Sequence, residues 1–139
     1  MEIHYKTDDE IHTLVSAFEA CSFHPSEFRH YQHLTVALWY VCHLSPDEAS
    51  VKMTKGIRRL AETYGKMGYH ETITRAFLHG VRLFLAEADL KDSLHELVNA
   101  LLLSPMGRRD WPLRFYSPER LFSVDARRAF IAPDLAALP

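Results

Sequence analysis

Three histidines, His30, His33 and His70, stand where a helical reading calls for apolar side chains, and titratable groups in that position point to chemistry. In Phe28-Arg29-His30-Tyr31-Gln32-His33-Leu34, His30 shares a stripe with Leu34, Ala37 and Val41. In Tyr69-His70-Glu71-Thr72-Ile73-Thr74, His70 shares one with Thr74, Phe77 and Val81. Inward imidazoles are costly without partners, so a metal, a carboxylate or each other must satisfy them. Along Glu27-x-x-His30-x-x-His33 each three-residue step turns back by about 60°, which presents both rings to one ion. His70, from a neighbouring helix, supplies a third ligand and leaves a position open for water or substrate. Zinc is the first choice of divalent metal for three imidazoles, with iron, nickel, copper and manganese admissible. Glu27 or Glu71 then completes the set or acts as general base on metal-bound water.

Tyr69, Arg114, Tyr116 and Arg120 are the candidate contacts to a small-molecule substrate, Arg114 because Trp111-Pro112-Leu113-Arg114-Phe115-Tyr116 sets one charge among apolar anchors. His24 and Cys21 are reserve ligands. Each of these has a plainer explanation. Glu71 lies four residues before Arg75 and pairs with it on a helix surface. Glu27 falls in a first helical turn, which favours a carboxylate through the helix dipole. Thr72 and Thr74 bond back to their own helix. The competing functional classes are therefore a metal-dependent enzyme, a metal-free helical binding or protein-interaction domain with a buried polar histidine cluster, and a fold tied together by a structural metal.

The elements that must position these residues are five helices. The first starts near Asp8 after Thr7, carries Ile11, Leu14, Val15 and Phe18 on one face, and ends before His24-Pro25. The second runs from about Ser26-Glu27 to about Leu44. The third opens with Ser45-Pro46-Asp47-Glu48, a capping box with proline at the first helical position, and stops at Gly65-Lys66-Met67-Gly68. The fourth runs from about Tyr69 to Ala88 and the fifth from Leu90 to about Leu103. Short connections make an up-and-down, all-α bundle, in which the second and fourth helices are parallel and bring Glu27, His30, His33 and His70 to one end. Residues 104–139 form loop and short helical turns that cap that end, within a single helical domain spanning 1–139.

With 139 residues, 47% of them hydrophobic, the chain can bury a sizeable core. A net charge of −2 gives no global pull towards nucleic acid or an anionic membrane. Ser104 to Pro139 nevertheless holds six arginines and four acids, a local anion-binding candidate. Without an apolar run long enough to span a bilayer, or a signal-like start, the expected location is cytoplasmic. Cys21 and Cys42 lack metal-ligand spacing and read as reduced side chains.

Three separated motifs resemble a family of small bacterial helical proteins with no settled activity: an HxxHL segment (His30 to Leu34), a YHETxT segment (Tyr69 to Thr74), and a C-terminal YSPERLFS…PDL…LP block (Tyr116 to Ser123, Pro133 to Leu135, Leu138-Pro139). The resemblance implies a helical fold, a C-terminal block that belongs to it, and roles for His30, His33, His70 and Glu71, with Tyr116, Ser117 and Arg120 behind them. The chain departs from the family pattern at Gln32, where an acid is usual, and at Phe77, where tryptophan is frequent.

Overall fold

The computed structural model describes residues 4–22, 27–65, 69–89 and 91–139, and among them there is no strand. Five longer helices, α1 (Asp8–Glu19), α2 (His30–His43), α3 (Pro46–Thr63), α4 (Glu71–Glu87) and α5 (Leu94–Leu103), precede two 3-10 turns (Pro105–Gly107 and Trp111–Arg114) and two short helices, α6 (Pro118–Leu121) and α7 (Val124–Arg128). The chain is an all-α bundle. α2 is its hub, touching α1, α3, α4 and α5, and its residues Leu34 to Leu38 are buried nearly all round.

Side-chain bonds fix the helix directions. Tyr5 N–H donates to Asn99 and His95 N–H to Asp8, so α1 and α5 begin at the same end. Cys21 Sγ meets Thr63 Oγ1, so α1 and α3 finish together. Arg82, late in α4, donates to the Pro46 carbonyl at the start of α3. These contacts give the alternating order that short connections favour.

Helix starts follow local chemistry where the chain supplies an oxygen. Thr7 Oγ1 accepts from Glu10 N–H while Glu10 accepts from Thr7 N–H, and Ser45 Oγ accepts from Glu48 N–H ahead of Pro46. Three starts depart from expectation, those of α2, α4 and, at Leu94 in place of Leu90, α5. α2 begins at His30, not near Ser26-Glu27, because Phe28 turns into the core against Phe18, ring centroids 5.0 Å apart, and Gln32 accepts the Arg29 N–H at 2.6 Å. Glu27 thus precedes the helix and is exposed. α4 begins at Glu71, with His70 as its N-cap in extended backbone, so His70 is not on the helical face that periodicity gave it. α5 begins at Leu94, where Glu96 accepts from both the N–H and hydroxyl of Ser93. His24 and the Lys66-Met67-Gly68 stop lie outside the described residues.

The C-terminal segment is bound into the bundle. Gly80 lets it approach α4: a Cβ there would lie 2.4 Å from Met106 Sδ and 2.9 Å from the Trp111 ring. Trp111 packs on Phe77 and Phe115. Tyr116 is buried and its hydroxyl donates to the Ile131 carbonyl at 2.6 Å. Ser117 donates its N–H and its hydroxyl to Asp134, and Arg120 Nε donates to the Ala132 carbonyl. No helix among the described residues is long and apolar enough to cross a membrane.

Candidate functional site: the histidine-lined cavity

His30 is the first residue of α2. Its ring stacks obliquely on Phe77 of α4, centroids 4.8 Å apart, and Nε2–H donates to the Met106 carbonyl at 2.9 Å. That bond puts the proton on Nε2 and the lone pair on Nδ1. Burial, with the positive charge of Arg109 behind it, holds the pKa of His30 below its ordinary value, although the Met106 carbonyl pulls the other way. His33 lies one turn on, 4.3 Å from the Phe28 ring. Burial first, and then the neighbouring His30, bring its pKa down to about 4 against the opposing pull of the Phe28 backbone. Both rings are neutral at pH 7.

His70, only 7% exposed, has both ring nitrogens engaged with backbone. Nδ1 accepts from Ile73 N–H at 3.1 Å, which caps α4, and Nε2–H donates to the Leu121 carbonyl in α6 at 2.6 Å. Only the neutral ring can make both bonds, since protonation would replace the accepting lone pair with a donor. Burial depresses its pKa accordingly. Thr74 bonds back to the His70 carbonyl as a helix threonine commonly does. Thr72 does not: its hydroxyl donates to the Ala129 carbonyl and accepts from Ile131 N–H.

These three histidines line one cavity of about 1330 Å³. Leu34 and Ala37 of α2, Met53 and Ile57 of α3, and Ile73, Phe77 and Leu78 of α4 make its apolar walls, and Leu113, Leu121 and Phe122 close it from the C-terminal side. At its rim stand Arg29, Arg108, Arg109 and Asp110, with Arg108 bonded to Asp110 through Nε at 3.1 Å. Of the four residues expected to gather at one end, the three histidines line this cavity and Glu27 does not, and the C-terminal segment forms one side of it.

The other nominated residues lie elsewhere. Glu71 accepts from the Tyr69 hydroxyl and pairs with Arg75 at 2.9 Å, and neither Glu71 nor Tyr69 lines the cavity. Tyr69 also bonds Thr54 and carries Arg58 over its ring, 4.6 Å from the centroid. Burial, followed by the Glu71 carboxylate, pushes the Tyr69 hydroxyl up to about 12, so it is a donor at all physiological pH. Glu27 and Arg114 are exposed and outside the lining, while Tyr116 and Arg120 hold the tail. Cys21 bonds Thr63. Among the described residues, no group of three or more His, Cys, Asp or Glu side chains is arranged to hold a metal ion. Arg29 and Arg109 also line the cavity, and neither stands in a sequence motif of its own. The signal for Arg109 is the Gly107-Arg108-Arg109 step inside the arginine-rich segment expected at the histidine end, and Arg29 has only its place beside His30.

No family model, curated protein or solved structure matches the chain.

Proposed function

We propose that the chain binds a small organic molecule in the histidine-lined cavity, with His30 and His33 as its neutral polar contacts and proton acceptors. One observation carries this: three imidazoles kept uncharged by burial line a single, largely apolar cavity of about 1330 Å³, the combination of apolar wall and few polar groups that suits small-molecule recognition. His70 serves it as a positioning residue, because its ring is committed to the α4 cap and to α6. A neutral imidazole beside a bound molecule is also the right form for general-base work, which leaves an enzymatic use open to this site.

The test is a fragment screen read by NMR at the histidine side chains. Fragments that shift the His30 and His33 resonances together in the wild type, and lose that effect in Leu113→Trp, which narrows the cavity, support the site. A screen without any fragment that shifts those resonances would remove it.

A divalent ion on His30 and His33 is the second reading, favoured by the same neutrality, since a metal binds imidazole through an unprotonated nitrogen. The ion would recruit water or the ligand itself for its remaining positions, because His70 could join only by giving up its cap or its bond to Leu121. Elemental analysis of untagged protein is the measurement. Near-stoichiometric metal that disappears in His33→Ala favours this reading, and no uptake from a panel of divalent ions ends it.

A further inference from the structure

We propose that the molecule taken up is a single-headed organic anion of the carboxylate type, its head held at the rim by Arg109 and Arg29 and its apolar body lying against Ala37, Phe77 and Leu78. This rests on the cavity being a ligand site. Charge around the opening is one-sided: three guanidinium groups and one carboxylate line it, and that carboxylate, Asp110, is already bonded to Arg108. Arg29 and Arg109 form no ion pair among the described residues. Arg109 is near enough to the head of α2 for its charge to act on His30.

The same place is the N-terminal end of a fourteen-residue helix, whose dipole adds to the attraction for an anion. Guanidinium groups suit a carboxylate because their paired donors match its two oxygens. Behind the rim the polarity changes abruptly. The walls are aliphatic and aromatic, and the histidines among them carry no charge at pH 7. A cation would meet like charge at the opening and no unpaired acid beyond it. An anion charged at both ends would leave its second charge against apolar wall, where burial without a partner is costly. A molecule with one charged end and an apolar remainder satisfies both zones.

The experiment titrates octanoate, 1-octanol and octylammonium into the full chain by calorimetry at low ionic strength, with Arg109→Gln, the Arg29→Gln/Arg109→Gln double variant, and Lys91→Gln as a control for loss of one exposed positive charge. Octanoate is expected to bind at least about tenfold more tightly than octanol, octylammonium least, and added salt should weaken octanoate selectively. Arg109→Gln should remove most of the octanoate advantage and the double variant all of it, while Lys91→Gln should leave it in place. If octanoate and octanol bind alike and neither arginine variant changes that, the cavity stands as a ligand site and the anion is wrong. If no member of the series binds, both the anion and the ligand-site proposal fall.

Discussion

The starts of α3 and α4 solve one problem in two ways. At α3 a serine hydroxyl accepts a first-turn N–H at 3.2 Å, a proline occupies the first helical position, and all of this comes from four adjacent, exposed residues. At α4 an imidazole does the capping, and its second nitrogen crosses to a carbonyl 51 residues away. A hydroxyl cap closes a helix locally. The imidazole cap also fixes what packs against that helix, and it does so from within the wall of a cavity. Capping and site-building are thus separate at one helix start and merged at the other.

The largest expected effect breaks the merged case. His70→Ala removes the cap and leaves the Leu121 carbonyl and Ile73 N–H unsatisfied, a loss of roughly 2–4 kcal/mol in the denaturant-derived unfolding free energy. A loss no greater than that of an ordinary exposed cap would mean that the crossing bond contributes nothing. Next comes pH. His33 is neutral when folded and takes up a proton at about pH 4, against an ordinary value of 6.5 in the unfolded chain. The unfolded state therefore binds the extra proton first as pH falls, and stability declines between about 6.5 and about 4. From pH 7.5 to 5 the loss from His33 is about 2 kcal/mol, with His30 and His70 acting in the same direction. Asp134, whose pKa Ser117 holds down, contributes nothing to that slope, because its stabilising charge is lost only below the ordinary carboxylate range. Melting temperatures at the two pH values for wild type and His33→Phe check this, and the variant should show a flatter dependence.

His70→Asn sharpens the comparison. The carboxamide restores a capping oxygen without spanning the distance to Leu121, so it should recover about 1 kcal/mol of the His70→Ala loss and no more. Full recovery would make the α6 contact incidental. The smallest effect belongs to the local case: Ser45→Ala should cost about 1 kcal/mol and leave the NMR resonances of the cavity histidines unmoved. Movement there would show that the two helix starts are coupled.

The same contrast explains what could be read from the chain. Ser45-Pro46, Thr7 and the face of Ile11, Val15 and Phe18 were legible because their physics is local in sequence. The alternating helix order followed from short connections, and it placed His30, His33 and His70 at one end. His70 as a cap was not legible, because periodicity assigns a helical face to any residue beside a helix, and only the tertiary partner at Leu121 reveals a different backbone. The late start of α2 escaped for a similar reason: Phe28 is apolar and correctly spaced for a helix, yet packing against Phe18 turns it inward before the helix begins. Glu71, with both a helical salt-bridge partner and a place beside a histidine, offered two explanations, and the nearby Arg75 and Tyr69 take its carboxylate. Arg109 was hidden among six similar arginines, since nothing in a run of like charges marks which one faces an opening.

His70 reaches Leu121, and Thr72 reaches Ala129 and Ile131, so the opening residues of α4 share their hydrogen bonds with a stretch of chain that emerges from the ribosome much later. During synthesis that turn has no finished partner until residues 121–131 have been made, and the cavity wall it forms is completed only then. In native-state hydrogen exchange, the amides of Ile73 and Ile131 should accordingly open together as one unit, while those at the start of α3 exchange on their own schedule.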